Sequence, residues 1–417
     1  MSEQSKLLHS QIQTAYPQAL AKLLIVLNNI QDAEDYLQSA VEKALVKWQE
    51  QRPDNPVAWL VQVARNQYID FYRRQKRQVS DQSVQEQNVE VDLSEEALLL
   101  SYNDDLLRLI FTSCHPALNQ QTQIILSLKH VLGLSVNEIA SALLIPTKTL
   151  QQRLLRAKKK IIGNHIQYEV PAKSSWGSRL DGVLKTIYLL FNEGYLSTQH
   201  KNPIRTDLCK EAIRLTRLLH MGIRDNSEIL GLLALLLHQD ARRPARFDQQ
   251  GNMVLLEHQD KKLWKQRNIQ EANSLVYKSL RAGGGTPYAL QAAIAALHNH
   301  PGKSDETDWP QIYGLYVKLL EQQDNAVIRL NSMVALAKCG KFEKAINQIL
   351  ELQSQLENYP YYYSALAGLY FENKDFKNAL IYYQKALRNT ESEFQLRFLQ
   401  GRVLECERGL TPKSDFL

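Results

Sequence analysis

Apolar residues recur every three or four positions along almost the whole chain, and few runs alternate with a period of two. This spacing lines apolar side chains along one face of an α-helix, whereas a half-buried strand needs strict alternation. We therefore expect an all-α fold. The length of 417 residues favours about two to four domains.

Composition narrows the class of protein. No apolar run reaches the ~18 residues of a membrane-spanning helix, and the first residues lack the charged and then apolar layout of a signal peptide. Four cysteines lie far apart without a CxxC pair, which indicates reduced core thiols. These features predict a cytoplasmic protein.

Positive charge is concentrated between Thr147 and Ile162, where six basic residues and no acidic residue occur. Upstream, Ser135 and Glu138 form an S-x-x-E capping box that predicts a short helix. Pro146 ends that helix, and Thr147 can cap a second one. Two short helices with a tight break are typical of a helix-turn-helix. The turn lacks the glycine often found there, and an incidentally basic surface helix is the alternative.

The second helix has two distinct faces. Its apolar stripe consists of Leu150, Leu154, Ala157 and Ile161. Its opposite face carries Lys148, Gln152, Arg156 and Lys159. Because Gln and Arg can bond base edges while Lys and Arg neutralise phosphates, this face is a candidate DNA surface.

An earlier stretch, DNPVAWLVQVARNQYIDFYRRQKR, combines basic and aromatic residues. Asp54 or Asn55 can cap a helix with Pro56 at its first position. The predicted core stripe is Leu60, Val63, Ala64, Tyr68, Phe71 and Tyr72. A second face carries Asn66, Asp70, Arg73 and Arg77. The aromatic residues of the stripe either belong to the core or hold unstacked bases.

Changes in composition divide the chain into four helical segments and one acidic flexible linker without Lys or Arg. The helical segments are 8–77, 104–166, 175–305 and 309–410, and the linker is 78–103. In the last segment, Ala345 and Ala379 occupy matching places in two similar stretches. Their separation (379 − 345 = 34) is typical of tetratricopeptide repeats.

These pieces, in this order, resemble a bacterial RNA polymerase sigma factor of the extracytoplasmic-function (ECF) group. DAEDYLQSAVEKAL is similar to the part of region 2 that binds core polymerase. AWLVQVARNQYIDFYRRQKR is similar to the part that melts and reads the −10 element. LSVNEIASALLIPTKTLQQRLLRAKKKI is similar to region 4, which reads the −35 element. FTSCHPAL, LLFNEGYLST and the tail from YALQAAIAALH resemble a subgroup with a long, tetratricopeptide-like C-terminal extension.

The resemblance implies roles for individual residues. Binding to core polymerase, at the β′ clamp, is implied for Asp32, Glu34, Asp35 and Gln38. Contact with the −10 element is implied for Arg52, Asp54, Asn55, Arg65, Asn66, Asp70, Arg73, Arg74 and Arg77. Contact with the −35 element, beside the polymerase β flap, is implied for Thr147, Lys148, Gln151, Gln152, Arg153, Arg156 and Lys159. No catalytic residue, metal or cofactor is implied. Ser39 and Val41 depart from the acidic and bulky aromatic residues more common in the family.

A sigma factor that starts transcription is therefore expected, with an extension that packs on regions 2 and 4 and regulates them. One alternative is a helix-turn-helix regulator with a ligand- or protein-sensing repeat domain, which would bind its operator tightly without polymerase. Another is a metal or catalytic site built from the two HQD sequences at 238–240 and 258–260. We expect these residues instead to form ion pairs that join Arg242, Arg243 and Arg246 to Asp240, Asp248 and Asp260.

Overall fold

The computed structural model describes most of the chain, namely residues 3–27, 29–78, 106–163, 171–197, 203–300, 307–357, 359, 361–390 and 392–410. The predicted linker, except for Gln78, lies outside the described residues. Within the described ranges the regular structure is helical, apart from an isolated antiparallel bridge between Phe247 and Met253. The prediction of an all-α fold is confirmed. None of the described helices is long and apolar enough to cross a membrane.

The chain forms two compact units, Met1–Leu190 (unit 1) and Phe191–Leu417 (unit 2). Unit 1 holds the first seven helices and the start of an eighth. They are α1 (Glu3–Leu27), α2 (Ile30–Glu50), α3 (Pro56–Gln78), α4 (106–113), α5 (Gln120–Leu126), α6 (Val136–Ala142), α7 (Thr147–Gly163) and α8 (Leu180–Tyr195). A π-helical turn, Ser127–Val131, continues α5.

The helices α1, α2 and α3 pack on one another in pairs. Asn29 caps α2, because its side-chain oxygen accepts the Gln31 backbone N–H at 2.9 Å. Asn55 caps α3 in the same way through the N–H of Ala58, at 3.0 Å, and Pro56 is the first helical residue as predicted. Local capping therefore sets where each helix of this bundle begins.

The helices α6 and α7 form the predicted helix-turn-helix. Ser135 and Glu138 make the complete capping box, in which each side chain accepts the other residue's backbone N–H. The predicted stripe of α7 faces inward, with Leu150, Ala157 and Ile161 buried. The pattern of apolar residues thus placed this motif correctly.

Unit 2 continues with helices throughout its described part. They are α9 (Thr206–Gly222), α10 (Ser227–Arg242), α11 (Gln266–Gly283), α12 (Pro287–His298), α13 (Trp309–Gln322), α14 (Ala326–Lys338), α15 (Phe342–Glu351), α16 (Gln353–Leu356), α17 (Tyr362–Glu372), α18 (Phe376–Arg388) and α19 (Glu393–Leu410). The α10 helix is buried on nearly all sides and packs against α9, α11 and α12. The central part of this helix, 229–237, is apolar on every side because no side of it faces solvent.

The 34-residue spacing relates α14 and α15 to α17 and α18. Ala345 and Ala379 are both fully buried. Lys338 on α14 pairs with Glu372 on α17 at 2.8 Å, again 34 positions apart (372 − 338 = 34). Equivalent helices of successive hairpins therefore lie side by side, as in stacked helical repeats.

Candidate nucleic-acid interface

The exposed face of α7 carries most of the residues predicted to read the −35 element. Successive residues lie about 100° apart around a helix, so that positions far from the buried stripe share one face. The exposed members are Lys148, Gln151, Gln152, Arg156 and Lys159. This face offers amide and guanidinium groups for base edges and three cations for phosphates.

Two predicted members of this face are placed differently. Thr147 is the first residue of α7, and its hydroxyl donates to the Asn137 side-chain oxygen at 3.4 Å, which links the two helices of the motif. Arg153 is half-buried because it lies about 60° from the centre of the buried stripe. Its Nη1 atom is shielded from solvent and has no hydrogen-bond partner among the described residues.

The turn between α6 and α7 has a leucine in the left-handed conformation, where a glycine is often found. Leu144 has a φ of 53°, a left-handed conformation that costs an L-residue about 1–2 kcal/mol. Its side chain is 50% exposed, and little packing offsets this cost.

Leu155 is a residue that the sequence did not single out. It is 57% exposed and lies between Gln151 and Lys159 on the polar face of α7. An apolar side chain on this exposed polar face suits contact with the methyl group of thymine. The signal in the sequence was a leucine outside the apolar stripe.

The last turns of α3 form an aromatic cluster, which we define as Tyr36 of α2 with Tyr68, Phe71 and Tyr72 of α3. Ring centroids lie 5.4 Å apart for Tyr36 and Tyr68 and 4.5 Å apart for Tyr68 and Tyr72. The prediction of a core stripe is wrong at Phe71 and Tyr72, which are 52% and 46% exposed. Among the described side chains of α3 the last buried one is Ala64, and within the cluster the ring of Tyr36 lies 6.4 Å from that of Phe71.

Charges surround the aromatic cluster. Arg73 and Arg74 are exposed beside it. Burial, followed by the proximity and hydrogen bond of Tyr72, raises the pKa of Tyr68 to about 12. The Tyr68 phenol therefore stays neutral and keeps its hydrogen-bonding proton at physiological pH. Exposed aromatic rings next to cations are a kind of surface on which the bases of single-stranded DNA can stack.

The other residues predicted to meet the −10 element are spread over α3 and the loop before it. The exposed members are Arg52, Asp54, Asn66 and Asp70, whereas Arg65 is half-buried. The side-chain oxygen of Asn55 is occupied by the cap of α3. The side chain of Arg77 lies outside the described residues.

The predicted polymerase-binding residues of α2 differ in exposure and in their neighbours. Asp35 and Gln38 are exposed. Asp32 lies near the aromatic cluster, where it raises the pKa of Tyr36 after the larger effect of burial. Glu34 contacts His130 and Lys158 of the region 4 segment. Of the four residues that the sequence grouped together, Glu34 is therefore the one whose carboxylate is engaged by side chains of the region 4 segment.

The two HQD sequences form no shared site. His238 is fully buried, and its Nδ1 lies within hydrogen-bonding distance, 3.1 Å, of the Asn299 side-chain nitrogen. His258, in contrast, is exposed. Within the described ranges, no three His, Cys, Asp or Glu side chains come together as metal ligands would. The predicted ion pair between Arg243 and Asp240 is present at 2.8 Å, and Lys265 joins it at 2.6 Å.

The rest of the predicted ion-pair network is wrong. Arg246 stacks on the Tyr195 ring, with its guanidinium carbon 3.8 Å from the centroid, and donates to the Tyr195 carbonyl. Asp248 accepts backbone N–H groups in the turn at Gly251, and Asp260 accepts that of Lys262. The Nε of Arg242 has no hydrogen-bond partner among the described residues. Backbone amides and an aromatic ring thus replaced the expected carboxylate–guanidinium pairs.

Comparison with known families gives three matches along the chain. Sigma-70 region 2 matches residues 12–78, and Sigma-70, region 4 matches residues 108–161. A family of unknown function (DUF6596) matches residues 179–280. The chain is also 40% identical, over 361 residues, to an uncharacterized protein of Rhizobium meliloti (strain 1021), and the match covers 85% of each chain.

The helix-turn-helix and the two sigma-70 regions define a protein whose role is promoter recognition. The chain belongs to the sigma-70 family, as an ECF-like sigma factor with a C-terminal extension.

Proposed function

We propose that the chain binds core RNA polymerase and directs it to promoters, where it reads the −35 and −10 elements and starts strand separation. The observation that carries this proposal is the pairing of two surfaces in one chain. One is the exposed base-reading face of α7, and the other is the aromatic cluster next to Arg73 and Arg74. An ordinary helix-turn-helix regulator needs only the first.

Region 4 sets α7 in the major groove of the −35 element. Gln151, Gln152 and Arg156 are exposed and have side chains that form bidentate contacts with adenine and guanine edges. Lys148 and Lys159 lie on the same face and neutralise phosphates, which positions the helix without reading sequence. The polymerase β flap then supports region 4 from another side.

Region 2 separates the strands at the −10 element. Unstacking costs a few kcal/mol per base, whereas stacking of a freed base on an aromatic side chain returns about 1–3 kcal/mol. The exposed rings of Phe71 and Tyr72 supply that stacking surface, and Arg73 and Arg74 hold the adjoining phosphates. The sequence left these two rings open between a place in the core and contact with unstacked bases, and their exposure supports contact with bases.

Polymerase binding is assigned to α2, which meets the β′ clamp. Asp35 and Gln38 are exposed and ready for a partner. Glu34 belongs to the same surface, but His130 and Lys158 cover it in the protein alone. The chain itself catalyses no reaction, because it positions polymerase and DNA.

The C-terminal extension regulates regions 2 and 4 in this proposal. Its first turns support that role within unit 1, where Arg179 donates to the Phe111 carbonyl at 2.9 Å. Gly182 is also closely packed, since an added Cβ would lie 2.6 Å from the Gln123 side-chain oxygen. Truncation after residue 197 keeps these contacts and removes the rest of the extension. Unchanged promoter activity of that truncated chain would refute regulation by the extension.

Run-off transcription tests the central proposal. Purified bacterial core polymerase is assayed with and without the protein on the promoter of the protein's own operon. We expect new start sites that disappear with Arg73→Ala plus Arg74→Ala. A matched control is Lys210→Ala plus Lys278→Ala, which removes two exposed charges from unit 2. Tight operator binding by the protein alone, without stimulated transcription, would indicate a conventional regulator instead.

A further inference from the structure

Glu34 of region 2 is held by two basic side chains of region 4. Its Oε1 lies 2.7 Å from His130 Nδ1, and its Oε2 lies 2.5 Å from Lys158 Nζ. The His130 side chain is 3% exposed, and that of Glu34 is 21% exposed. Both carboxylate oxygens of Glu34 are therefore engaged within unit 1, which leaves less of the residue for another protein.

Local structure places the two bases. His130 lies in the π-helical turn Ser127–Val131, an irregularity that often marks functional positions because it redirects side chains. Lys158 lies at the edge of the buried stripe of α7, and its side chain is 39% exposed. It lies outside the set of α7 residues assigned to DNA.

A second contact joins the same two regions. Gly133 has a φ of 70°, and a Cβ at this position would lie 2.3 Å from the Pro17 ring of α1. The backbone of region 4 therefore approaches α1 as closely as only glycine allows. This apolar contact is independent of the charges on Glu34.

The electrostatics favour the ionised form of Glu34. Burial alone raises the pKa of this carboxyl, but the hydrogen bonds and charges of His130 and Lys158 outweigh burial and lower the pKa to about 2. Tyr16 of α1 also faces this carboxylate, and its own pKa is raised by burial and then by Glu34. The carboxylate is thus charged at physiological pH, and among the described residues the groups that lower its pKa belong to region 4.

We propose that this contact is an intramolecular latch, in which region 4 covers the polymerase-binding residue Glu34 until core polymerase displaces it. The latch rests on the proposed function, because it assigns Glu34 to polymerase. It differs from regulation by the extension, since both partners belong to the DNA-reading half. In the absence of polymerase, the latch holds the protein in a closed form. The α2 surface then becomes available only when core polymerase is present.

Population arithmetic gives the expected size of the effect. Minor conformations of proteins are commonly populated at about 0.1–10%. If the open form is at the upper end of that range, apparent affinity for polymerase is about tenfold weaker than the intrinsic affinity. A substitution in region 4 that breaks the latch should restore most of this lost affinity for polymerase, because Glu34 itself is unchanged.

The test uses the full-length chain with spin labels at two exposed positions, Lys43→Cys in region 2 and Gln121→Cys in region 4. Cys339 is replaced by Ser, since it is the half-buried native cysteine, whereas the other three are buried. Double electron–electron resonance spectroscopy then gives the distribution of distances between the two spin labels in the isolated protein, without polymerase or DNA.

Lys158→Ala is the test variant, and Lys160→Ala is its matched control. Both remove one positive charge from α7, but Lys160 is exposed and lies about 160° from Lys158 around the helix. We expect a narrow distribution for the unsubstituted chain and for Lys160→Ala, and a broader, longer one for Lys158→Ala. Lys158→Glu, which places a like charge beside Glu34, should broaden it further.

Binding to core polymerase is measured on the same proteins, and Lys158→Ala should bind about tenfold more tightly than Lys160→Ala. Equal distance distributions for the two variants would overturn the latch. Broadened distances with equal affinities would overturn its role in controlling polymerase binding. If no variant binds polymerase, the proposed function fails, whereas the distance measurement still decides whether the latch exists.

Discussion

The salt dependence of promoter binding distinguishes α7 side chains that meet DNA phosphates from those that support the helix. Each phosphate contact contributes about 0.9 to the slope of log affinity against log salt concentration. Lys159 is exposed on the face of α7 opposite the buried stripe, whereas Arg153 is half-buried with a shielded Nη1. We expect Lys159→Ala to reduce the slope by about 0.9 and Arg153→Ala to leave it unchanged.

The difference is large enough to measure. Over a fourfold increase in salt, a slope change of about 0.9 alters the ratio of affinities by about 3.5-fold. Holoenzyme binding to a labelled promoter of the protein's own operon is followed by fluorescence anisotropy at several salt concentrations. Contributions from polymerase are common to all variants and cancel in the comparison. The exposed Lys278→Ala in unit 2 serves as the charge-matched control.

Arg153→Ala should instead lower the stability of unit 1, because the aliphatic part of a half-buried Arg contributes packing. Thermal melting of the same proteins checks this expectation. An equal loss of slope for Arg153→Ala and Lys159→Ala, with unchanged melting, would refute the assignment of Arg153 to the support of the helix.

Three further predictions concern other parts of the chain. Lys374→Gly should stabilise α17 and α18 by about 1 kcal/mol, because Lys374 has a φ of 61° where its repeat counterpart is Gly340. Hydrogen exchange of the backbone amides in these two helices measures the change in stability. Phe71→Ala should reduce permanganate reactivity of −10 thymines in the holoenzyme complex without changing closed-complex affinity, since only unstacked bases use the ring. Unit 2 should melt at lower temperature as pH falls from 6.5 towards 4, because burial lowers the pKa of His238 and His298 to about 4 and their protonation favours unfolding.

Features that depend on neighbours in sequence were predictable. The capping box of Ser135 and Glu138 and the cap at Asn55 lie within three residues of the groups they satisfy. The apolar stripe of α7 follows from helical periodicity alone, and three of its four residues are buried. Such patterns lie within one or two helical turns, so they can be recognised without knowledge of the surrounding fold.

Predictions that depended on distant partners were less successful. Phe71 lies on the helical face of Leu60 and Ala64, but it is exposed, and Ala64 is the last buried residue among the described side chains of α3. Arg246 was expected to pair with a carboxylate, and it stacks on Tyr195 instead. Periodicity specifies a face of a helix, but the length over which that face is covered depends on other elements.

The sequence by itself determined the all-α class, the helix-turn-helix, the 34-residue spacing and the resemblance to a sigma factor. Each of these is encoded in short-range patterns of apolar, capping and basic residues. The tertiary structure alone decided that Glu34 meets His130 and Lys158, the latter 124 positions away (158 − 34 = 124). An ion pair between distant residues needs two chain segments brought together by packing, and no local pattern specifies which charges then face each other.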